Sequence, residues 1–178
     1  MARLPYADPS RPEVADIAAR IVEQRGSVLH LYAMLLHSPP IASGWLQFLT
    51  AIRHECSLPG DLRELVIMRV AQLNHAPYEA EQHRPIALRE GLTAAQIDAL
   101  PDWSASDSFG ERERAVLAYC DMMTRSIHVD DAVFAEVRHH FDEQLMVELT
   151  ATIAAYNMVS RFLEAMAIAS TDSMGPAR

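Results

Sequence analysis

The residues able to do chemistry crowd into one short stretch of the chain. Between Arg63 and Gly91 stand Arg63, Glu64, His75, Tyr78, Glu79, His83 and Arg84. Glu79 and His83 are four apart, so on a helix they share a face, about 40° apart around the axis. A carboxylate beside an imidazole fixes its tautomer and tunes its basicity. By spacing alone, such a pair is more often a surface contact than a catalytic dyad. Glu64 is harder to dismiss. It interrupts the apolar run Leu62, Leu65, Val66, Met68, Val70 and Leu73, where burial gives no reason for a carboxylate.

Each remaining polar residue has a role to offer. Tyr78 can donate a hydrogen bond to a developing oxyanion. Arg63 and Arg84 can grip a substrate carboxylate bidentately, and they equally suit surface or intersubunit salt bridges. His75 completes the candidates for substrate binding. Glu64, Glu79, His83 and His75 would also make a mixed oxygen and nitrogen ligand set. No H-E-x-x-H or comparable spacing accompanies them, so no metal and no cofactor are expected.

The elements that must position these groups read as helices throughout. Ser10-Arg11-Pro12-Glu13 has the form of a capping box with proline at N1, and Gly26 closes the helix that follows. A short helix over about 28–37 is stopped by Ser38-Pro39-Pro40, and the next covers about 41–56. Leu58-Pro59-Gly60-Asp61 is a turn whose aspartate can cap a helix over about 62–73. That helix is apolar nearly all round and should be central. A helix over 76–90 contains Pro85, which should kink or split it. Thr93-Ala94-Ala95-Gln96 is a second capping box. Residues 101–109 read as a loop. Helices over about 111–125 and 131–140 follow, and a last one begins after Asp142 and runs to about Ile168. With no alternating β-branched segments, the fold expected is all-α, one helical bundle of about eight to nine helices over residues 1–178.

Glu64 and His83 belong to consecutive helices joined by Asn74-His75, which should pack antiparallel. They lie about 15 Å and 12 Å from that turn, so their side chains can meet at one level. His83 is then the expected general acid/base, oriented by Glu64 or Glu79.

Composition narrows the chemistry. The 178 residues carry a net charge of −9, which argues against nucleic acid or an anionic membrane as partner. All 15 basic residues are arginine. Without lysine there is no Schiff base, pyridoxal phosphate linkage or P-loop. Six glycines include no G-x-G-x-x-G. No apolar run approaches the ~20 residues needed to span a bilayer. The first residues lack an apolar signal segment, and Cys56 and Cys120 form no C-x-x-C, so a reducing cytoplasm is expected. The last helix, with its small and apolar residues between Ile153 and Ile168, offers more apolar surface than one chain readily hides, so a homo-oligomer is expected. Tyr156, Asn157 and Arg161 are polar groups within it that face a pocket or an interface.

Leu62-Arg63-Glu64-Leu65-Val66, Asn74, Tyr78-Glu79, His83, Ala87 and Gly91-Leu92-Thr93, with His37-Ser38-Pro39, Leu58 and Ile97, resemble the carboxymuconolactone decarboxylase family, which includes the alkylhydroperoxidase D-like proteins. The resemblance covers about residues 37–100. It implies an all-α fold, a cytoplasmic location and a trimer or hexamer. The family's peroxidase branch carries a glutamate, a C-x-x-C and a histidine four residues after the second cysteine. Those positions fall on Glu64, Ala76, Glu79 and His83. Both thiols are missing while both proton-relay positions remain, so thiol peroxidase activity is not expected.

The decarboxylase branch uses no redox centre. By resemblance, the chain acts on a small organic acid, lactone or related metabolite by decarboxylation, isomerisation or dehydration, with His83, Glu64, Glu79 and Tyr78 catalytic and Arg63, Arg84 and His75 binding substrate. The alternative is a non-catalytic oligomeric binding protein of the same fold. An enzyme should converge its polar quartet on a solvent-reachable pocket. A non-catalytic protein should pair those side chains with one another.

Overall fold

The computed structural model describes residues 1–174. Nine α-helices occur among them, and no strand. They are α1 (Ala15–Arg25), α2 (His30–Leu35), α3 (Pro39–Thr50), α4 (Gly60–Leu73), α5 (Pro77–Arg89), α6 (Ala94–Ala99), α7 (Glu111–Arg125), α8 (Asp131–His140) and α9 (Glu143–Met166). The all-α expectation holds, and α7 and α8 begin and end where the sequence placed them. The chain divides into two compact units, Met1–Glu55 with the residues from Leu163 onward, and Cys56–Phe162.

In the first unit, α1 ends as expected on Gly26 in the left-handed region, φ 81°. The capping box expected at Ser10 does not form. A 3-10 turn, Pro12–Val14, precedes α1 with no side-chain cap, and the Ser10 hydroxyl donates instead to Asp8 at 2.7 Å. The two residues close a local turn that competes with capping. Pro39 and Pro40 open α3 rather than merely ending α2, because the first turn of a helix needs no N–H from them. A π-helical turn, Ala51–Glu55, extends α3, so Cys56 lies just past the helix. Two histidines of this unit bind backbone: His30 Nε2 lies 2.9 Å from the Asp172 carbonyl, and His37 Nε2 lies 2.7 Å from that of Pro5.

The second unit is built on α4. Ten consecutive residues, Leu62 to Ala71, are buried, as expected of a helix apolar nearly all round. It packs against α5 and α7. Asp61 does not cap it: the helix starts at Gly60 after Pro59, and Asp61 lies inside the first turn. There its charge still favours the positive end of the helix. Pro85 does not split α5, which runs unbroken from Pro77 to Arg89. It sits exposed near the helix end, where water can take the hydrogen bond that its missing N–H forfeits. Thr93 and Gln96 form the expected reciprocal box. The stretch read as a loop after Leu100 begins with a 3-10 turn, Leu100–Ala105, with Pro101 in its first turn at N2.

Arg69 is the buried cation that ties this unit together. At 3% exposure it bridges both carboxylate oxygens of Asp121 on α7, each at 2.6 Å, and also donates to Gln72 and the Leu100 carbonyl. Its removal would leave Asp121 with only Trp103 Nε1 at 3.4 Å and Arg125 at 3.8 Å, and would take a donor from the Leu100 carbonyl. Replacing Arg69 with methionine should therefore lower the unfolding free energy by about 3 kcal/mol, read from urea denaturation.

Candidate functional site

The Asn74-His75 turn reverses the chain between α4 and α5. His75 takes the left-handed backbone there, φ 53°, a conformation that histidine tolerates better than most side chains. The reversal brings Glu64 and His83 to one level, as the count along the helices anticipates. His83 Nδ1 lies 2.7 Å from Glu64 Oε2. His83 Nε2 lies 3.3 Å from Glu79 Oε1, one turn away on α5. Glu64 is 0% exposed, Glu79 4% and His83 5%. The sequence left open which glutamate would orient the imidazole; both engage it, one at each nitrogen.

Arg63 completes the group. Its Nε lies 3.3 Å from Glu64 Oε1 and its Nη2 3.3 Å from Glu90 Oε2. Gly60 makes room for that second contact, since a Cβ at this position would stand 1.7 Å from Glu90 Oε2. Arg63 is thus placed as the counter-charge of two protein carboxylates. Tyr78 is buried on α5 at 3% exposure.

The chain buries three acidic or imidazole side chains here, and their charges govern one another. Burial disfavours the imidazolium, but hydrogen bonds and charge from Glu64 and Glu79 outweigh it, raising the His83 pKa above the ordinary imidazole range. In its protonated form His83 donates Nδ1–H to Glu64 and Nε2–H to Glu79. No cluster of three or more His, Cys, Asp and Glu suited to a metal ion occurs among the described residues.

Two further residues join the site: Tyr156, which the sequence placed only as facing a pocket or an interface, and Glu90, which it did not single out. Tyr156 of α9 packs edge-on against His83, with ring centroids 5.1 Å apart. Its only signal was a polar residue in an apolar run. Its neighbours do other work: Asn157 donates to Thr124 and accepts from Asn74, both at 3.0 Å, and Arg161 is exposed. Glu90 left no signal, because nothing local distinguishes it from other exposed glutamates.

His75 and Arg84 are placed elsewhere. They line a cavity of about 600 Å³ walled by Met68 and Ala71 of α4, Ala76 and Ala80 at the start of α5, and Ile97 and Leu100. Glu64, Tyr78, Glu79 and His83 are not among its lining residues. The seven candidates therefore separate into a buried charged group and a pair at a cavity. Neither cysteine joins them. Cys120 is fully buried on α7, its thiol pushed up to about 12 by burial, with Asp121 adding to the effect.

The profile of the Carboxymuconolactone decarboxylase family matches residues 39–122. The uncharacterized protein YdfG of Bacillus subtilis (strain 168) is 31% identical over 63% of this chain and 78% of its own length. The uncharacterized protein YnjA of Escherichia coli (strain K12) is 33% identical over 70% of this chain and 66% of its own. Among solved structures, the alkylhydroperoxidase AhpD core of a peroxidase-related protein from Ralstonia eutropha JMP134 superposes with a TM-score of 0.81 at 18% identity, covering 96% of this chain and 93% of that one. At that identity the likeness concerns the fold, the alkylhydroperoxidase D-like arrangement of helices. The matched stretch holds α4 and α5 with the carboxylates and imidazole they bring together, and on these likenesses the chain belongs to the carboxymuconolactone decarboxylase family.

Proposed function

We propose that the chain is a cofactor-independent acid/base enzyme acting on a small organic acid, lactone or related metabolite, by decarboxylation, isomerisation or dehydration. The observation that carries this reading is the buried Glu64–His83–Glu79 bridge, 2.7 Å on one side of the ring and 3.3 Å on the other. Burying such groups is expensive, and an apolar set of the same volume would join the two helices at lower cost. In a decarboxylation, the carbon–carbon bond to the carboxylate breaks and its electron pair enters a dienolate. His83 Nε2–H protonates the dienolate carbon, and Glu79 returns a proton from water. Glu64 fixes the ring through Nδ1, Arg63 balances Glu64, and Tyr78 donates to the developing oxyanion. Thiol chemistry has no part in this scheme, since Ala76 and Glu79 stand at the peroxidase branch's cysteine positions.

One observation favours the second reading, a non-catalytic binding protein. The three bridge residues satisfy one another, and the cavity of about 600 Å³ beside the start of α5 is lined by other side chains. Turnover separates the two. A panel of carboxylated lactones and β-keto acids in D₂O, followed by NMR, should show loss of CO₂ or uptake of deuterium at carbon. His83→Ala should slow this by ~10²–10⁴-fold while the chain stays folded. An unchanged rate in folded His83→Ala protein would make His83 structural.

The proton state is testable without a substrate. A histidine whose pKa is raised on folding contributes stability fully present below its unfolded value, about 6.5. That contribution is lost as pH rises through the folded value. The His83 ring resonances should therefore titrate above the ordinary range and move down in Glu64→Gln. Stability of the wild type should decline above neutral pH, and the decline should be absent in His83→Gln.

The proposal includes a homo-oligomer, a trimer or hexamer, in the cytoplasm. Val147 and Met158 are 68% and 39% exposed and, with exposed Ala154, form one apolar row along α9. The Cys120 thiol is free, which suits a reducing compartment. Among the described residues no helix is long and apolar enough to cross a membrane. Light scattering should give a multiple of the 19.9 kDa chain mass, reduced by the double substitution Val147→Glu, Met158→Glu. A monomer at micromolar concentration would remove the oligomer from the proposal.

A further inference from the structure

The cavity beside the start of α5 has the size, walls and charge of a ligand site in its own right. We infer that it binds a small molecule with a compact apolar body and a single carboxylate, held at the mouth by Arg84 and His75. The inference concerns binding alone and goes beyond the proposed acid/base reaction, because the site lies on a different face of α5. Ala76, Ala80 and Arg84 follow one another at four-residue intervals, whereas Glu79 and His83 lie on a neighbouring row.

The volume, about 600 Å³, falls within the range of small-molecule pockets. Its walls are Met68, Ala71, Ala80, Ile97, Leu100 and Pro101, which offer an apolar body dispersion contacts and no hydrogen bonds. Two alanines on α5, Ala76 and Ala80, keep the space open. The polar groups are few. Gln72 already accepts a hydrogen bond from Arg69 at 2.7 Å. Arg84 holds Asp98 through Nη1 at 3.1 Å, with the two side chains 45% and 65% exposed. An ion pair so exposed is worth little, and a guanidinium has five N–H donors. Arg84 can therefore take a ligand carboxylate beside Asp98 or in its place.

The mouth carries no net negative charge to repel an anion. Asp98 is matched by Arg84, so it does not leave the cavity negative. His75 is exposed on the cavity rim, held there by its left-handed backbone. Ala76 and Pro77, at the positive end of α5, also line the space, and no side chain caps that helix.

Isothermal titration of the full chain with 2-naphthoate tests the assignment, with naphthalene-2-carboxamide as the neutral isostere. Naphthoate should bind saturably at one site per chain. Exchanging the carboxylate for the amide, or Arg84→Gln, should weaken it about tenfold or more. Ala80→Phe should abolish it by filling the cavity. Arg84 is surface-exposed, so Arg84→Gln keeps the test valid if Ala80→Phe fails to fold. Equal binding of acid and amide, unchanged affinity in Arg84→Gln, or no binding at millimolar probe would each overturn the inference. So would a stoichiometry that falls as protein concentration rises, since a second copy would then be the occupant. None of these outcomes depends on turnover, so failure here is distinct from failure of the acid/base reading.

Discussion

The hydrogen bond between Glu64 and His83 is the constraint on which the second unit turns. It joins two helices through side chains 0% and 5% exposed. At such depth a lone carboxylate would take up a proton and a lone imidazolium would lose one, because an isolated charge is too costly to bury. The pair is tolerable only because Arg63 and Glu79 complete the hydrogen bonding and balance the charge. Sliding α5 against α4 by even one residue would leave these charges buried and unmatched. The bridge therefore acts as a pin on helix register. The position of the Asn74-His75 turn, and of the cavity lining beside it, follows from that register.

The helix that carries Glu64 combines two functions in one element. Leu62, Leu65, Val66, Ile67 and Val70 of α4 are all at most 1% exposed, so it is wrapped on every side. Its three charged residues beyond the first turn must each find a built-in partner. Arg69 finds Asp121 of α7, Arg63 finds Glu90, and Glu64 finds His83. Each pairing anchors α4 to a different part of the chain. Asn74, just past its end, reaches Asn157 and Ser160 of α9. Through this network α9 is held where Tyr156 packs on the His83 ring. The polar minority of an apolar helix thus fixes its neighbours, while the apolar majority supplies the burial.

The local signals in the sequence divide by how much competition they face. The Thr93-Gln96 box and the Gly26 end formed as read, because each is a contact among residues a turn or less apart with no rival partner. Ser10 failed as a cap because Asp8, two residues away, took its hydroxyl. Asp61 failed because the helix began at Gly60, two residues early, and carried Asp61 into it. Pro39-Pro40 and Pro101 were read as stops or loop, yet each lies in the first turn of a helical segment. Proline ends one helix and is equally suited to start the next, and only the chain path distinguishes the two.

By itself the sequence determined the helices, the shared face of Glu79 and His83, and the height at which Glu64 meets them. All three follow from a fixed rise and a fixed period per residue, which any α-helix obeys. The tertiary structure decided what lies across the gaps between helices. It set Tyr156 against the imidazole, brought Glu90 to Arg63 through the space left by Gly60, and moved His75 and Arg84 to a cavity of their own. These outcomes depend on which side chains from distant segments share one volume. Close packing of the whole core settles that, and no local periodicity encodes it.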